Sequence, residues 1–594
     1  MSQKADEVYL RHILDAITQI EVYTAGVSRE DFFRNRLLQD AVVRQVEIIG
    51  EAARQVSEEL QARYPQVLWR EIVGMQNRIV HAYFDLDLEA VWDTVQEDLP
   101  QLKEEAQKIV EEFGKGGVIG LLGDNSYRLY KSSIREEQGT HFALVKEPTG
   151  ERSLYVEGGR PLAGGEPFGE GYRYPLTLET ASALREVFPW LSPRRIPGDR
   201  PSFGFGDRLG LATPGHIRAV RDTGIFPILA QQSVRENART GRNFAQVLAS
   251  AVFGAFQEGY TDGFGADADH LKQIDDALEA ADLGYTFFTC DPSDHVVAVE
   301  KLGDDELRQR FSALSRVDEW KNEYIDRPFT IAGLGELRFS EGVLMRAAVK
   351  YGAAVEFASK MYGALSERLP DGFDYEVSVD ETETPTTPLE HLFVAHELRR
   401  CGVSFVSLAP RFVGAMEKGV DWRGDLELFR RELRAHAAIA RTIGSYRLSL
   451  HSGSDKFTLY PLLAEETDGL WHVKTAGTSY LVALEVAAHR APALFREIAS
   501  FSISQFAHER ASYHISADPT RIPPLDTVSD DELPKIIEEH NGRQVLHVAF
   551  GSVLQSPLGD ELRLVLDEWE EEHYERLAQH LGRHLEGLGV KNGG

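Results

Sequence analysis

Apolar residues recur at helical spacing through the first 112 residues. Tyr9, Leu10, Ile13, Ile17 and Ile20 fall on one helix face, and Val42, Val43, Val46, Ile48 and Ile49 on another. A further helix is predicted over Leu88–Phe113, where Gly114-Lys-Gly-Gly117 stops it and opens a linker. The pattern predicts an all-α helical bundle over residues 1–113. From about residue 118 short strand-like pieces, such as Phe142–Val145 and Ser153–Val156, alternate with Gly/Pro turns. Residues 118–195 therefore read as a small α+β subdomain. From residue 196 onward strand-like and helix-like segments alternate, as in parallel α/β proteins. Eight strands are predicted: Ser202–Phe205, Phe226–Leu229, Gly263–Ala268, Tyr285–Thr289, Tyr375–Val379, Ser404–Leu408, Tyr446–Leu450 and Trp471–Val473. Residues 296–372 form an insertion between the fourth and fifth strands, and residues 484–594 are mostly helical. The expected fold is α/β, a TIM-like (β/α)8 barrel over 196–594 with the small α+β subdomain before it.

The C-terminal ends of these strands carry chemistry. Ordinary strands end in turn residues such as Gly, Asn or Pro. Here Gly263–Ala268 runs into Asp269-His270, Tyr285–Thr289 into Cys-Asp-Pro-Ser-Asp-His295, and Tyr375–Val379 into Asp380, Glu381 and Glu383. Tyr446–Leu450 runs into His451-Ser-Gly-Ser-Asp-Lys456, and Trp471–Val473 into Lys474. Each ending alone has a bland explanation: Asp269 as a helix N-cap, the loop after Leu450 as polar surface, Lys474 as a strand end. Five together point to a site on one barrel face. In Tyr-Glu-Val-Ser-Val-Asp380, alternation puts Glu376, Ser378 and Asp380 on one side. Helices cover the outside of a parallel barrel, so that side faces the interior, where a carboxylate needs a partner or a task.

Two imidazoles and a carboxylate can hold a divalent cation with open coordination positions. His270 and His451 are the preferred pair, because strands three and seven face each other across a barrel mouth. The third ligand is Glu417, after strand six, or Asp380, after strand five; spacing does not choose. Zn, Mn, Ni and Co are not distinguished. Arg208, Arg235, Arg242 and Lys474 are cations near strand ends, able to hold a carboxylate or phosphate. Gly204-Phe-Gly-Asp-Arg-Leu-Gly210 is not Gly-x-Gly-x-x-Gly, which argues against a dinucleotide site.

The formal net charge of −30 argues against nucleic acid as the main partner of the chain. The only cysteines, Cys290 and Cys401, suit a reducing cytoplasm. The first residues, Met-Ser-Gln-Lys-Ala-Asp-Glu, carry charge where a signal peptide needs an apolar core, and no apolar run approaches the roughly 20 residues of a membrane span. The expectation is a cytoplasmic protein without a membrane partner.

The segment Gly74-Met-Gln-Asn-Arg-Ile-Val-His-Ala-Tyr-Phe84 resembles the HepT-like family of bacterial toxin–antitoxin pairs, over about residues 1–112. The family motif, Arg-x4-His-x-Tyr, is associated with ribonuclease activity and with a tyrosine modified by the partner. His81 and Tyr83 match; Gln76 stands at the arginine position, so an always-charged phosphate ligand is missing. The resemblance implies a retained helical dimerisation module, a candidate surface for homo-oligomers, rather than an active nuclease.

A second resemblance covers about residues 120–590. Ser202-Phe-Gly-Phe-Gly-Asp-Arg-Leu-Gly-Leu-Ala-Thr-Pro214, Ala230-Gln-Gln-Ser-Val-Arg-Glu-Asn237, Gly263-Phe-Gly-Ala-Asp-Ala-Asp-His270, Glu376-Val-Ser-Val-Asp-Glu-Thr-Glu-Thr-Pro385, His451-Ser-Gly-Ser-Asp-Lys-Phe457 and His472-Val-Lys-Thr-Ala-Gly-Thr-Ser-Tyr480 are similar to the tagaturonate epimerase family. Phe256-Gln-Glu-Gly-Tyr260, Asp291-Pro-Ser-Asp-His295 and Ser512-Tyr-His-Ile-Ser-Ala-Asp518 also match. The resemblance implies a metal-dependent epimerase interconverting the keto-uronates D-tagaturonate and D-fructuronate. It implies Asp269 as proton acceptor, Glu376 as proton donor, His270 and His451 as metal ligands, and a further ligand near Glu417. Arg208, Arg235 and Lys474 are the expected substrate cations. Retro-aldol chemistry is the expected route, with transient oxidation by a nicotinamide as its rival. Other classes are a metal-dependent isomerase or aldolase of another keto-sugar, and a toxin–antitoxin-type binding protein.

Overall fold

The computed structural model describes residues 3–69, 71–74, 88–114, 127–159, 162–169, 171–198, 200–510, 513 and 515–590. Gln76, His81 and Tyr83 of the HepT-like motif, and Ser512 and His514, lie outside the described residues. The chain divides into two compact units, one of Met1–Leu129, Arg135–Pro148 and Tyr155–Arg173, the other of Tyr130–Ile134, Thr149–Leu154 and Tyr174–Gly594.

In the first unit the helical faces read from the sequence form a core. Leu10, Ile13, Ile17 and Ile20 on the helix Gln3–Thr24 are buried in one cluster with Val42, Val46 and Ile49 on Arg36–Gln55 and with Leu102, Ala106 and Ile109 on Leu99–Gly114. The helix predicted over Leu88–Phe113 is interrupted by a π-helical turn at Thr94–Asp98. Pro100 explains the break, because it lacks the N–H that would bond to the carbonyl four residues earlier. Arg128–Leu129 and Arg135–Glu137 pair antiparallel with Thr140–Lys146, and Glu166–Phe168 pairs antiparallel with residues 171–173.

The second unit contains a closed barrel. Its strands are β1 (Ser202–Phe205), β2 (Phe226–Ser233), β3 (Gly265–Leu271), β4 (Phe287–Cys290), β5 (Asp374–Val379), β6 (Ser407–Pro410), β7 (Arg447–Leu450) and β8 (Trp471–Thr475). Each pairs in parallel with the next, and β8 pairs with β1. A helix follows each strand, from Thr213–Val220 after β1 to Thr478–Arg490 after β8. The expected insertion between β4 and β5 holds two short helices, a hairpin at Pro328–Ile331 and Gly335–Arg338, and the long helix Glu341–Arg368.

Local sequence sets these elements. Thr387 caps the helix Pro388–Arg400 in a reciprocal box with Glu390, and Asn243 does the same with Gln246 for Phe244–Glu258, which ends on left-handed Gly259. In β5 the period of two sends Tyr375 outward, where its hydroxyl donates to Ala358 O on the long helix at 2.8 Å, and Glu376 inward. Burying such apolar outer faces drives closure, at about 25 cal/mol per Å². Barrel interiors are ordinarily filled by branched aliphatics. Here Ile228, Phe226 and Phe287 form only a small apolar cluster with Ile196, and the rest of the interior is polar. Among the described residues no helix is long and apolar enough to cross a membrane.

Candidate active site

The polar interior is organised around Lys474 of β8. Its Nζ lies 2.7 Å from Asp267 Oδ2, 2.8 Å from Asp269 Oδ1 and 2.9 Å from Glu376 Oε1, and donates to Thr289 Oγ1 at 2.5 Å. All five residues are buried. Asp267 and Asp269 share the inner face of β3 because they are two residues apart. Ser407, beside Glu376 in the β5–β6 register, donates to Glu376 Oε2 at 2.5 Å. Burying three carboxylates with one ammonium is costly unless each charge is held in place, and such arrangements cluster where chemistry is done.

Two histidines close the network. His451 Nε2 is 2.7 Å from Glu376 Oε1, and His270 Nδ1 is 2.8 Å from Asp269 Oδ1. A ring nitrogen facing a carboxylate oxygen at that distance carries the proton. The other nitrogen of the His270 ring is left as a candidate ligand atom, while His451 Nδ1 lies 3.5 Å from Asp380 Oδ1 and 3.4 Å from Ser378 Oγ, so a metal there would replace the second proton of His451. The two rings are 4.9 Å apart, and one ligand atom from each of His270, Asp380 and His451 lies within 4.8 Å of the others. Asp380 also accepts from Ser378. His270 has φ 52° and Ser452 φ 51°, left-handed backbone that a side chain adopts at a cost of about 1 kcal/mol and that recurs at functional sites.

Electrostatics follow this geometry. Burial works against the charged form of every group here. For Asp269 the charges of His270 and Lys474 outweigh it and hold the carboxyl well below its usual range; Lys474 and His451 do the same for Glu376. Burial pushes Asp267 up, against the pull of Lys474. His451 rises to about 10, because Asp380 and Glu376 outweigh its burial. The imidazolium charge stands where a cation would.

Known proteins share this architecture. The tagaturonate epimerase (UxaE) family matches residues 130–588. A tagaturonate/fructuronate epimerase of Thermotoga maritima is 46% identical over 484 residues, 80% of this chain and 98% of the relative. The chain belongs to the tagaturonate epimerase family. A crystal structure of fructuronate-tagaturonate epimerase UxaE from Cohnella laeviribosi, complexed with glycerol, is 38% identical with a TM-score of 0.77, over 81% of this chain and 100% of that one. The Ribonuclease HepT-like family matches residues 13–109, and a probable ribonuclease HepT of Thermococcus cleftensis is 37% identical over 107 residues, 18% of this chain and 97% of the relative.

Within this epimerase fold the structure gathers Asp269, His270, Glu376, His451 and Lys474 into one network. It does not bring Glu417 into the histidine group. Glu417 accepts from Arg423 at 2.6 Å, from Ser516 at 2.7 Å and from Gln544 at 2.9 Å. Asp380 occupies the third place instead, as the next inward residue after Glu376 and Ser378. Arg208 is buried, bridged to Glu236 at 2.7 Å and stacked 3.6 Å over the Phe550 ring, and Arg242 donates to Asp207 O at 2.6 Å. Arg235 is 45% exposed and 3.7 Å from Glu381. The sequence singles out Asp267 with Asp269 and His270 as the chemistry-bearing end of the Gly263–His270 run, without a role of its own, and its spacing from Asp269 puts it on the same face. Sequence reasoning passed over Thr289, Ser407 and Lys418, which carry no local signal.

Proposed function

We propose that this chain interconverts D-tagaturonate and D-fructuronate, at the site formed by Asp269, Glu376, Lys474 and the His270–Asp380–His451 group. The observation that carries the reading is the pair of ionised carboxylates, Asp269 and Glu376, held by one ammonium at the barrel mouth. The two sugars differ at a carbinol carbon β to the ketone, whose C–H is not acidified. Direct removal of that hydrogen is disfavoured, and retro-aldol cleavage is the favoured route. The Asp269 carboxylate takes the proton of the carbinol hydroxyl; the bond to the α carbon breaks, its electron pair passes into the ketone as an enediolate, and the carbinol carbon becomes an aldehyde. The aldehyde turns, the bond reforms on its other face, and the proton returns to oxygen. Lys474 keeps both carboxylates ionised and in register, and Glu376, bridged to Lys474 and His451, exchanges the proton on the enediolate side. His270, Asp380 and, once it gives up its second proton, His451 would hold a divalent cation, which when bound would supply positive charge for developing oxyanions.

The test is turnover of each uronate by the purified chain, with and without chelator. Interconversion that stops on chelation and returns with a divalent cation supports the reading; no turnover of either sugar with metal restored would sink it. For the N-terminal helical unit, we read a self-association module, motivated by Gln76 at the motif arginine position. RNA cleavage by the full chain that is abolished in His81→Ala would overturn that.

A further inference from the structure

Lys418, in the loop after β6, is a cation without a direct ion pair; the carboxylates of Glu236, Asp380 and Glu381 act on it only from beyond ion-pair distance. Its Nζ donates to Ser452 Oγ at 2.8 Å, and Ser452 directly follows His451. Among the described residues Lys418 forms no ion pair within 4.0 Å. The surrounding cations are engaged: Lys474 by three carboxylates, Arg208 by Glu236, and Lys456 by the carbonyls of Glu417, Val420 and Ser454. Lys418 has only a neutral hydroxyl. Burial and then the like charge of Arg235 lower its pKa, and Arg235 itself is only loosely paired, 3.7 Å from Glu381. An ammonium so placed is unfavourable in the empty fold and favourable once an anion arrives.

The position of Lys418 says which anion. Ser452 is the residue after His451 of the candidate metal group, and the Asp380 carboxylate of that group acts on Lys418. A ligand held at Lys418 therefore reaches the His270–Asp380–His451 group with its far end. A sugar acid has this form, with a carboxylate at one end and a ketone at the other.

We propose that Lys418 receives the carboxylate of the keto-uronate substrate, with Arg235 adding charge at the rim. This rests on the functional reading above. It also assigns a task during the reaction: the carboxylate stays on the aldehyde fragment, so Lys418 retains that fragment while its carbonyl turns. Lys418 is thus a substrate-binding residue that selects sugar acids over neutral ketohexoses.

The experiment uses the full chain, with Lys418→Met and Lys418→Arg. In Lys418→Met the Kd for D-tagaturonate, measured by calorimetry, weakens about 100-fold and loses part of its dependence on ionic strength, as expected when a charge-assisted pair is removed. KM rises more than kcat falls, Lys418→Arg recovers most of the affinity, and the melting temperature of Lys418→Met does not drop. Undiminished affinity in Lys418→Met overturns the proposal. So does weakened affinity with a lower melting temperature that Lys418→Arg fails to restore, which marks a structural lysine. A wild type that binds the uronate but turns over neither sugar sinks the functional reading instead.

Discussion

Two groups of histidine and carboxylate in this chain have the same ingredients and opposite states. His270, Asp380 and His451 stand at the barrel mouth, and Asp455, His580 and His584 join the loop after β7 to the helix Glu570–Gly587. In the second group the ligand atoms are already engaged. Asp455 pairs with Arg543 at 2.7 Å and with His580 Nε2 at 2.6 Å. His584 accepts the Asp455 N–H on Nε2 at 3.0 Å and donates from Nδ1 to His580 O at 3.0 Å. In the first group His270 Nδ1 faces Asp269 at 2.8 Å, and His451 lies between two carboxylates, Nε2 2.7 Å from Glu376 Oε1 and Nδ1 3.5 Å from Asp380 Oδ1. The two groups also differ in charge. Burial lowers His584 to about 4, whereas the carboxylates beside His451 raise it to about 10. Residue type and proximity do not define a metal site; the surrounding charge does, and the carboxylates that hold a proton on His451 would favour a metal cation in its place.

The largest effect expected from breaking the contrast is on turnover. Asp269→Asn and Glu376→Gln each remove a proton acceptor while keeping shape, so kcat falls by about 1,000-fold, as for loss of positioned acid–base groups. Steady-state rates on both uronates measure it. A loss under tenfold in either variant would remove that carboxylate from the reaction.

The sequence could be read at the mouth and not in the tie. Parallel barrel strands are buried on both faces, so they appear as short apolar runs between turn residues, and all eight stand out. Asp380 continues the inward alternation of Glu376 and Ser378, a signal that lies within one strand. Glu417 does not: its partners Ser516 and Gln544 are 99 and 127 residues away. Arg208 looks like any cation near a strand end until Glu236 and Phe550 fold against it. The tie is likewise long-range, with His580 125 residues beyond Asp455. Lys418 sits in a loop without periodicity, so nothing near it in sequence marks it out.

Next in size is a stability difference. Asp455→Ala leaves the half-buried Arg543 without its carboxylate, and breaking such a pair costs about 2 kcal/mol. His270→Ala with His451→Ala abolishes bound metal, whereas Asp455→Ala leaves it in place. Urea denaturation and metal analysis on the same samples separate the two. Full metal content in the double histidine variant, or an unchanged urea midpoint in Asp455→Ala, would collapse the distinction between tie and site.

The smallest effect is on pH, and it reads the tie directly. His584 titrates near 4 in the folded chain because burial disfavours its cation, against about 6.5 when unfolded. Its folded pKa is lowered, so below pH 6.5 the unfolded chain takes up a proton that the folded chain refuses. Stability contributed by this neutral imidazole is complete above about pH 6.5 and is lost as pH falls toward 4, at up to about 1.4 kcal/mol per pH unit. His216, His436 and His573, also buried and lowered to about 4, add in the same direction. His584→Gln offers an amide to accept from Asp455 N–H and to donate to His580 O, but takes up no proton. Its stability therefore falls less steeply than that of the wild type between pH 6.5 and 4. Parallel curves for the two proteins would mean that His584 is not held neutral, and that the second group resembles the first after all.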